Sequence, residues 1–116
     1  MPSIRHTVAF GLPFPKGSDE EAAFLRSAQR LASIPGVLNL TVLQALGDEN
    51  GRPWALSMDF ADQAAYDGYN AHPLHRAFVE REWLPTVTSF AESDYRLVDL
   101  PPLQPPSTTG TRGGPS

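Results

Sequence analysis

The sequence predicts an α+β fold with the order strand, helix, strand, strand, broken helix, strand. Three observations carry that prediction. Apolar residues alternate at a period of two across residues 4–12 and 54–60. They recur at three and four residues across 18–33, and again on both sides of Pro73. Turn formers, namely Pro13, Pro15, Gly17, Pro35-Gly36 and Asn50-Gly51, fall between these stretches.

The first strand spans Ile4 to Leu12, with Ile4, His6, Val8 and Phe10 on one face and Arg5, Thr7, Ala9 and Gly11 on the other. His6 thus lies on the apolar face. Ser18 followed by Glu21 has the spacing of a capping box, so a helix starts there. Phe24, Leu25, Ala28, Leu31 and Ala32 form its apolar side, and Pro35-Gly36 ends it. Val37 to Leu46 reads as a strand apolar on both faces, with Leu38, Leu40 and Val42 on one and Val37, Thr41 and Leu43 on the other. Trp54, Leu56, Met58 and Phe60 alternate after the Asn50-Gly51 turn, which makes the two strands a hairpin.

Asp62 caps a short helix running to about Ala71, with Ala65, Tyr66 and Tyr69 inward. A residue before proline avoids the helical region, whereas proline suits a first helical position. One helix therefore ends near Ala71, His72 sits at a corner, and a second helix runs from Pro73 to about Pro85 with Leu74, Ala77, Phe78 and Arg81 in phase. A last strand ends within residues 92–98, and its weak alternation leaves its facing open. From Leu100 the chain is Pro, Ser, Thr and Gly with one charge, Arg112, too polar to offset the entropy of ordering. The expected organisation is one domain over residues 1–99 and a disordered tail over 100–116.

This order is the ferredoxin-like βαββαβ arrangement, a four-stranded antiparallel sheet with helices on one face. One helical layer leaves the other face bare, yet residues 37–46 are apolar on both sides. A second copy, packed sheet against sheet about a two-fold axis, is the simplest cover, so the sequence predicts a homodimer.

The 116 residues carry a formal net charge of -4 and no basic cluster, which argues against nucleic acid as a partner. No apolar run approaches the roughly 20 residues that span a bilayer, and no targeting segment is visible, so the expectation is a cytoplasmic protein without a membrane partner. The absence of cysteine excludes disulfides, thiolate nucleophiles and zinc–thiolate sites.

Chemistry concentrates in Tyr69-Asn70-Ala71-His72-Pro73-Leu74-His75. Phenol and imidazole both donate and accept protons, and imidazole does so near neutral pH. The plain alternative is that His72 closes the helix corner and His75 is a satisfied hydrogen-bonder.

Ile4-Arg5-His6, Ile34-Pro35-Gly36-Val37, residues 55–60, the Y-x-x-H-P-x-H segment and Asp94-Tyr95 together resemble the stress-responsive dimeric α/β-barrel (Dabb) family over residues 3–98. The resemblance implies a dimeric α/β barrel. It implies a function less directly, since one fold hosts many activities. Some members are stress proteins without a settled reaction; others, the olivetolic acid cyclase-like proteins, act in polyketide pathways. That likeness would make Tyr69 and His75 the catalytic pair, with Asp94 orienting His75. His6, Val8, Phe10, Phe24, Leu56, Met58, His72 and Trp83 would line the substrate pocket. Glu92 departs from the cyclase pattern, which has an apolar residue there. The chemistry implied is cofactor-free and metal-free: a base removes a proton beside a carbonyl and a donor steadies the enolate.

The first function expected is thus a small-molecule acid–base catalyst, polyketide cyclase-like, on an apolar carbonyl compound. The second is a non-catalytic stress-responsive protein that binds a small apolar ligand in the same pocket. The third is a monooxygenase of the related dimeric α/β-barrel type.

Overall fold

The computed structural model describes residues 3–47 and 49–103. Its elements are β1 (Ile4–Gly11), α1 (Asp19–Gln29), β2 (Leu38–Gln44), β3 (Trp54–Phe60), α2 (Gln63–Ala71), α3 (Pro73–Phe78), α4 (Leu84–Thr86) and β4 (Ser89–Arg96). The strands form one antiparallel sheet in the order β2-β3-β1-β4. This is the ferredoxin-like α+β fold expected. The residue 100–103 part of the expected tail is exposed and without regular structure, and residues 104–116 lie outside the described residues.

Local chemistry sets the helix ends. Ser18 accepts the Glu21 N–H at 3.2 Å, as the capping spacing requires. The return half of the box is different: the Glu21 carboxylate takes the Gly17 N–H at 2.9 Å and the Trp54 indole N–H at 3.0 Å. Asp62 caps α2 through the Ala65 N–H, 2.9 Å away. His72 is extended (φ -69°, ψ 138°), and its Nδ1 accepts the Leu74 N–H at 3.1 Å. The corner at Pro73 is therefore as expected. Between α3 and α4 the helix opens to a π turn over Val79–Trp83, in which the Leu84 N–H reaches the Val79 carbonyl. Pro85 follows at once; it supplies no N–H and crowds the preceding turn.

The helices cover one sheet face. Phe10, Leu56, Met58 and Phe60 are buried beneath them with Phe24, Ala28, Leu31, Ile34 and Phe78. Phe10 packs against Phe24 (ring centroids 5.9 Å apart) and Trp83 (5.1 Å), a solid aromatic core at the α1 end. Register settles β4: His6 pairs with Asp94, Val8 with Glu92 and Phe10 with Phe90, so all six face the helices.

In β2 the expected facing is only half right. Asn39 takes a left-handed backbone (φ 56°), and the ladder slips between Leu38 and Thr41. Val42 lies opposite Leu56 and faces the core, while Leu38 turns outward with Thr41 and Leu43, opposite Asp59, Ser57 and Ala55. A period-two count cannot see such a bulge. On the outer face Asp59 is buried, held by Arg5 Nε (2.8 Å) and Asn39 Nδ2 (3.0 Å). The hydrogen bond from Arg5 holds the Asp59 carboxyl below its usual range.

Candidate active site

A cavity of about 310 Å³ opens between the sheet and the broken helix. The sheet contributes His6 and Val8 from β1, Leu56 and Met58 from β3, and Phe90 and Glu92 from β4. The helices contribute Tyr66, Tyr69 and Asn70 from α2, His75 and Phe78 from α3, and Val79, Trp83 and Leu84 beyond. Leu31 closes one side. An apolar hollow with a few convergent polar groups is the usual form of a small-molecule site.

The structure gathers His6, Val8, Leu56, Met58, Tyr69, His75, Trp83 and Glu92 in one cavity. It does not bring Phe10 or Phe24 there: both lie in the solid core, where their rings pack at a tilt against one another and against Trp83 rather than lining the hollow. His72 stays at the helix corner, its Nδ1 used by the cap. Asp94 stands behind the wall instead of on it, and it does not pair with His75. Its Oδ1 lies 2.6 Å from His6 Nδ1, directly across the β1–β4 ladder. The expected His75–Asp94 pair is thus replaced by a His6–Asp94 pair, set by strand register.

Tyr66 is the residue sequence reasoning left without a role. Its hydroxyl donates to Asp94 Oδ2 at 2.8 Å and lies 3.0 Å from His6 Nδ1. The signal was its inward position three residues before Tyr69 on the same helix face. Burial, then the Asp94 carboxylate, pushes the Tyr66 phenol up, so it stays protonated.

The remaining polar groups follow from their surroundings. His6 is buried, and Asp94 at its Nδ1 fixes the Nδ1–H tautomer, leaving Nε2 without a partner among the described residues. The Tyr69 phenol is pushed up by burial and further by the Glu92 charge. Tyr69 is 3% exposed, and its hydroxyl makes no protein hydrogen bond among the described residues. His75 sits against Tyr69, ring centroids 4.4 Å apart, and its Nδ1 donates to the Asn70 carbonyl at 3.2 Å. Burial lowers the His75 pKa, reinforced by His6 and opposed by the Asn70 hydrogen bond and Glu92. Its neutral form is thereby favoured. The site therefore offers two imidazoles with free Nε2 atoms and a protonated phenol between them: acceptors and a donor for one substrate oxygen and one carbon-bound proton.

Comparisons with known proteins give the fold a lineage. The profile of the Stress responsive A/B Barrel Domain matches residues 4–97. A Dabb family protein with a ferredoxin-like fold from Mesorhizobium loti is 43% identical, with a TM-score of 0.79 over 87% of this chain and 100% of that one. A dimeric ferredoxin-like protein of unknown function from Thermobifida fusca is 23% identical, with a TM-score of 0.68 over 83% and 92%. The hydroxynitrile lyase of Passiflora edulis is 17% identical and superposes with a TM-score of 0.71 over 88% and 100%. No curated protein matches at a significant level. A profile match over nearly the whole folded part, together with a Dabb protein 43% identical over its full length, places this chain in the stress-responsive A/B barrel (Dabb) family.

Proposed function

We propose that this chain is a small-molecule acid–base catalyst that acts without a cofactor on an apolar carbonyl compound, in the manner of a polyketide cyclase. One observation carries the reading: His6, backed by Asp94 at 2.6 Å, meets the protonated Tyr69 phenol across an apolar cavity. His6 Nε2 takes a proton from the carbon beside the carbonyl, and the C–H electrons pass into an enolate. Tyr69 donates a hydrogen bond to the enolate oxygen, and Asp94 pairs with the imidazolium as it forms. When the enolate attacks a second carbonyl, the imidazolium returns the proton to the new alkoxide. The base is thus His6 rather than His75. His75 stays neutral beside Tyr69 and accepts a hydrogen bond from a substrate hydroxyl or water.

The test is turnover of a panel of β-polycarbonyl thioesters and hydroxynitriles, the latter included because the Passiflora edulis neighbour is a hydroxynitrile lyase. On any substrate found, His6→Ala is expected to lower kcat by ~10²–10⁴, the usual worth of a positioned base. Tyr69→Phe should lower it too. If both variants turn over as wild type does, the reading is wrong. Tight binding without product would favour the ligand-binding alternative, and a Soret band after incubation with haem the monooxygenase one.

The working form of the catalyst is a homodimer packed through the outer sheet face. Leu38 and Leu43 stand exposed there at 40% and 45%. The Thermobifida fusca and Bacteroides fragilis proteins of the same fold are described as dimeric.

A further inference from the structure

Glu92 is the one feature of the cavity that an apolar substrate does not explain. It faces inward from β4 opposite Val8 and lines the hollow. Its carboxylate makes no hydrogen bond or ion pair among the described residues. No lysine or arginine lines the cavity, and the neighbouring charged group, Asp94, is negative as well. Burial disfavours the charged form of the His75 ring, the other imidazole on this side of the cavity. Glu92 is exposed on the edge strand β4, so a ligand carboxylate placed here meets a like charge without a lysine or arginine to offset it, whereas a hydroxyl, amide or ammonium group can donate to the Glu92 carboxylate in place of water.

We infer that Glu92 sets the substrate class of this site: it selects neutral or cationic molecules carrying a hydrogen-bond donor and rejects free acids. The inference rests on the cavity being a ligand site, as proposed above, but not on any reaction. A substrate built on this rule presents its carbonyl toward Tyr69 and His6 and its hydroxyl or amino group toward β4. The step that supplies it must therefore deliver a neutral or cationic carbonyl compound, such as an ester, thioester, amide, ketone or aldehyde, rather than a free acid, which would bring a second negative charge beside Glu92.

The test uses three planar molecules of one shape and three charges: benzoate, benzamide and benzamidine. Binding is followed through the fluorescence of Trp83, which lines the cavity, and through amide shifts of β4. Benzamidine should bind tightest and benzoate weakest, about fivefold or more apart, since a single charge contact near water is worth roughly 1 kcal/mol. The spread should shrink in higher salt. Glu92→Gln, which keeps the shape, should bring the three together, and Glu92→Lys should reverse their order. Benzoate binding as well as benzamidine, an order unchanged in both variants, or no benzamidine binding at millimolar concentration would each overturn the inference. Turnover plays no part in these readings. Loss of the charge order with activity intact condemns this inference alone, while inactivity on every carbonyl substrate with the order intact condemns only the catalytic one.

Discussion

Burial decides how single side chains behave here. His75 lies among Tyr69 and the cavity wall, and desolvation holds its pKa below 6.5. Between the folded and unfolded pKa values the unfolded chain binds more protons at residue 75, so stability rises with pH through that window. The penalty is fully present below the folded pKa and gone above about 6.5. Denaturation midpoints measured from pH 7 down to 5 should therefore fall, and fall less in His75→Gln. Asp59 acts at lower pH: its depressed pKa adds stability above about 3.8 that is lost as pH falls further. At this scale the sequence made the site's members legible, because histidine and tyrosine on inward phases are few. It could not say which histidine meets Asp94. That pairing depends on the β1–β4 register, and the alternation of residues 89–96 is too weak to fix it. Phe10 and Phe24 were misplaced for a related reason: inward facing does not say whether a ring meets a hole or another ring.

The elements were largely written in turn chemistry. Ser18, Asp62, His72 and Pro73 each sit at a helix start, and Asn50-Gly51 turns the hairpin with both residues at positive φ. The bulge at Asn39 was not legible, since a left-handed asparagine inside an apolar strand leaves the composition unchanged. Gly36 offers a direct test. It holds φ +94°, and a Cβ there would stand 3.3 Å from Ala65 Cβ, where the turn before β2 touches α2. Gly36→Ala should cost about 1–2 kcal/mol in urea unfolding, from left-handed strain with little room for relief. A loss below a few tenths would show that the turn adjusts freely. His72→Ala should cost less, about 1 kcal/mol, by removing a single exposed cap.

For the whole molecule, the sheet divides two jobs. Its inner face carries the core and the cavity; its outer face carries Leu38, Leu43 and the Arg5–Asp59–Asn39 group. The two-sided apolar reading of residues 37–46 led to the proposed dimer, and the exposed Leu38 and Leu43 of the outer face are where it would pack. Sedimentation at micromolar concentration should give a dimer, and Leu43→Glu on the outer face should shift it toward monomer without changing the inner cavity. A clean wild-type monomer would remove the dimer from the account. The central claim, that Asp94 arms His6 toward the cavity, is read most directly from the imidazole nitrogens of the three histidines in one long-range 15N–1H NMR spectrum. The account expects His6 and His75 protonated on Nδ1 and His72, whose Nδ1 serves the cap, protonated on Nε2. A spectrum with the His6 proton on Nε2, unchanged in Asp94→Ala, would contradict it.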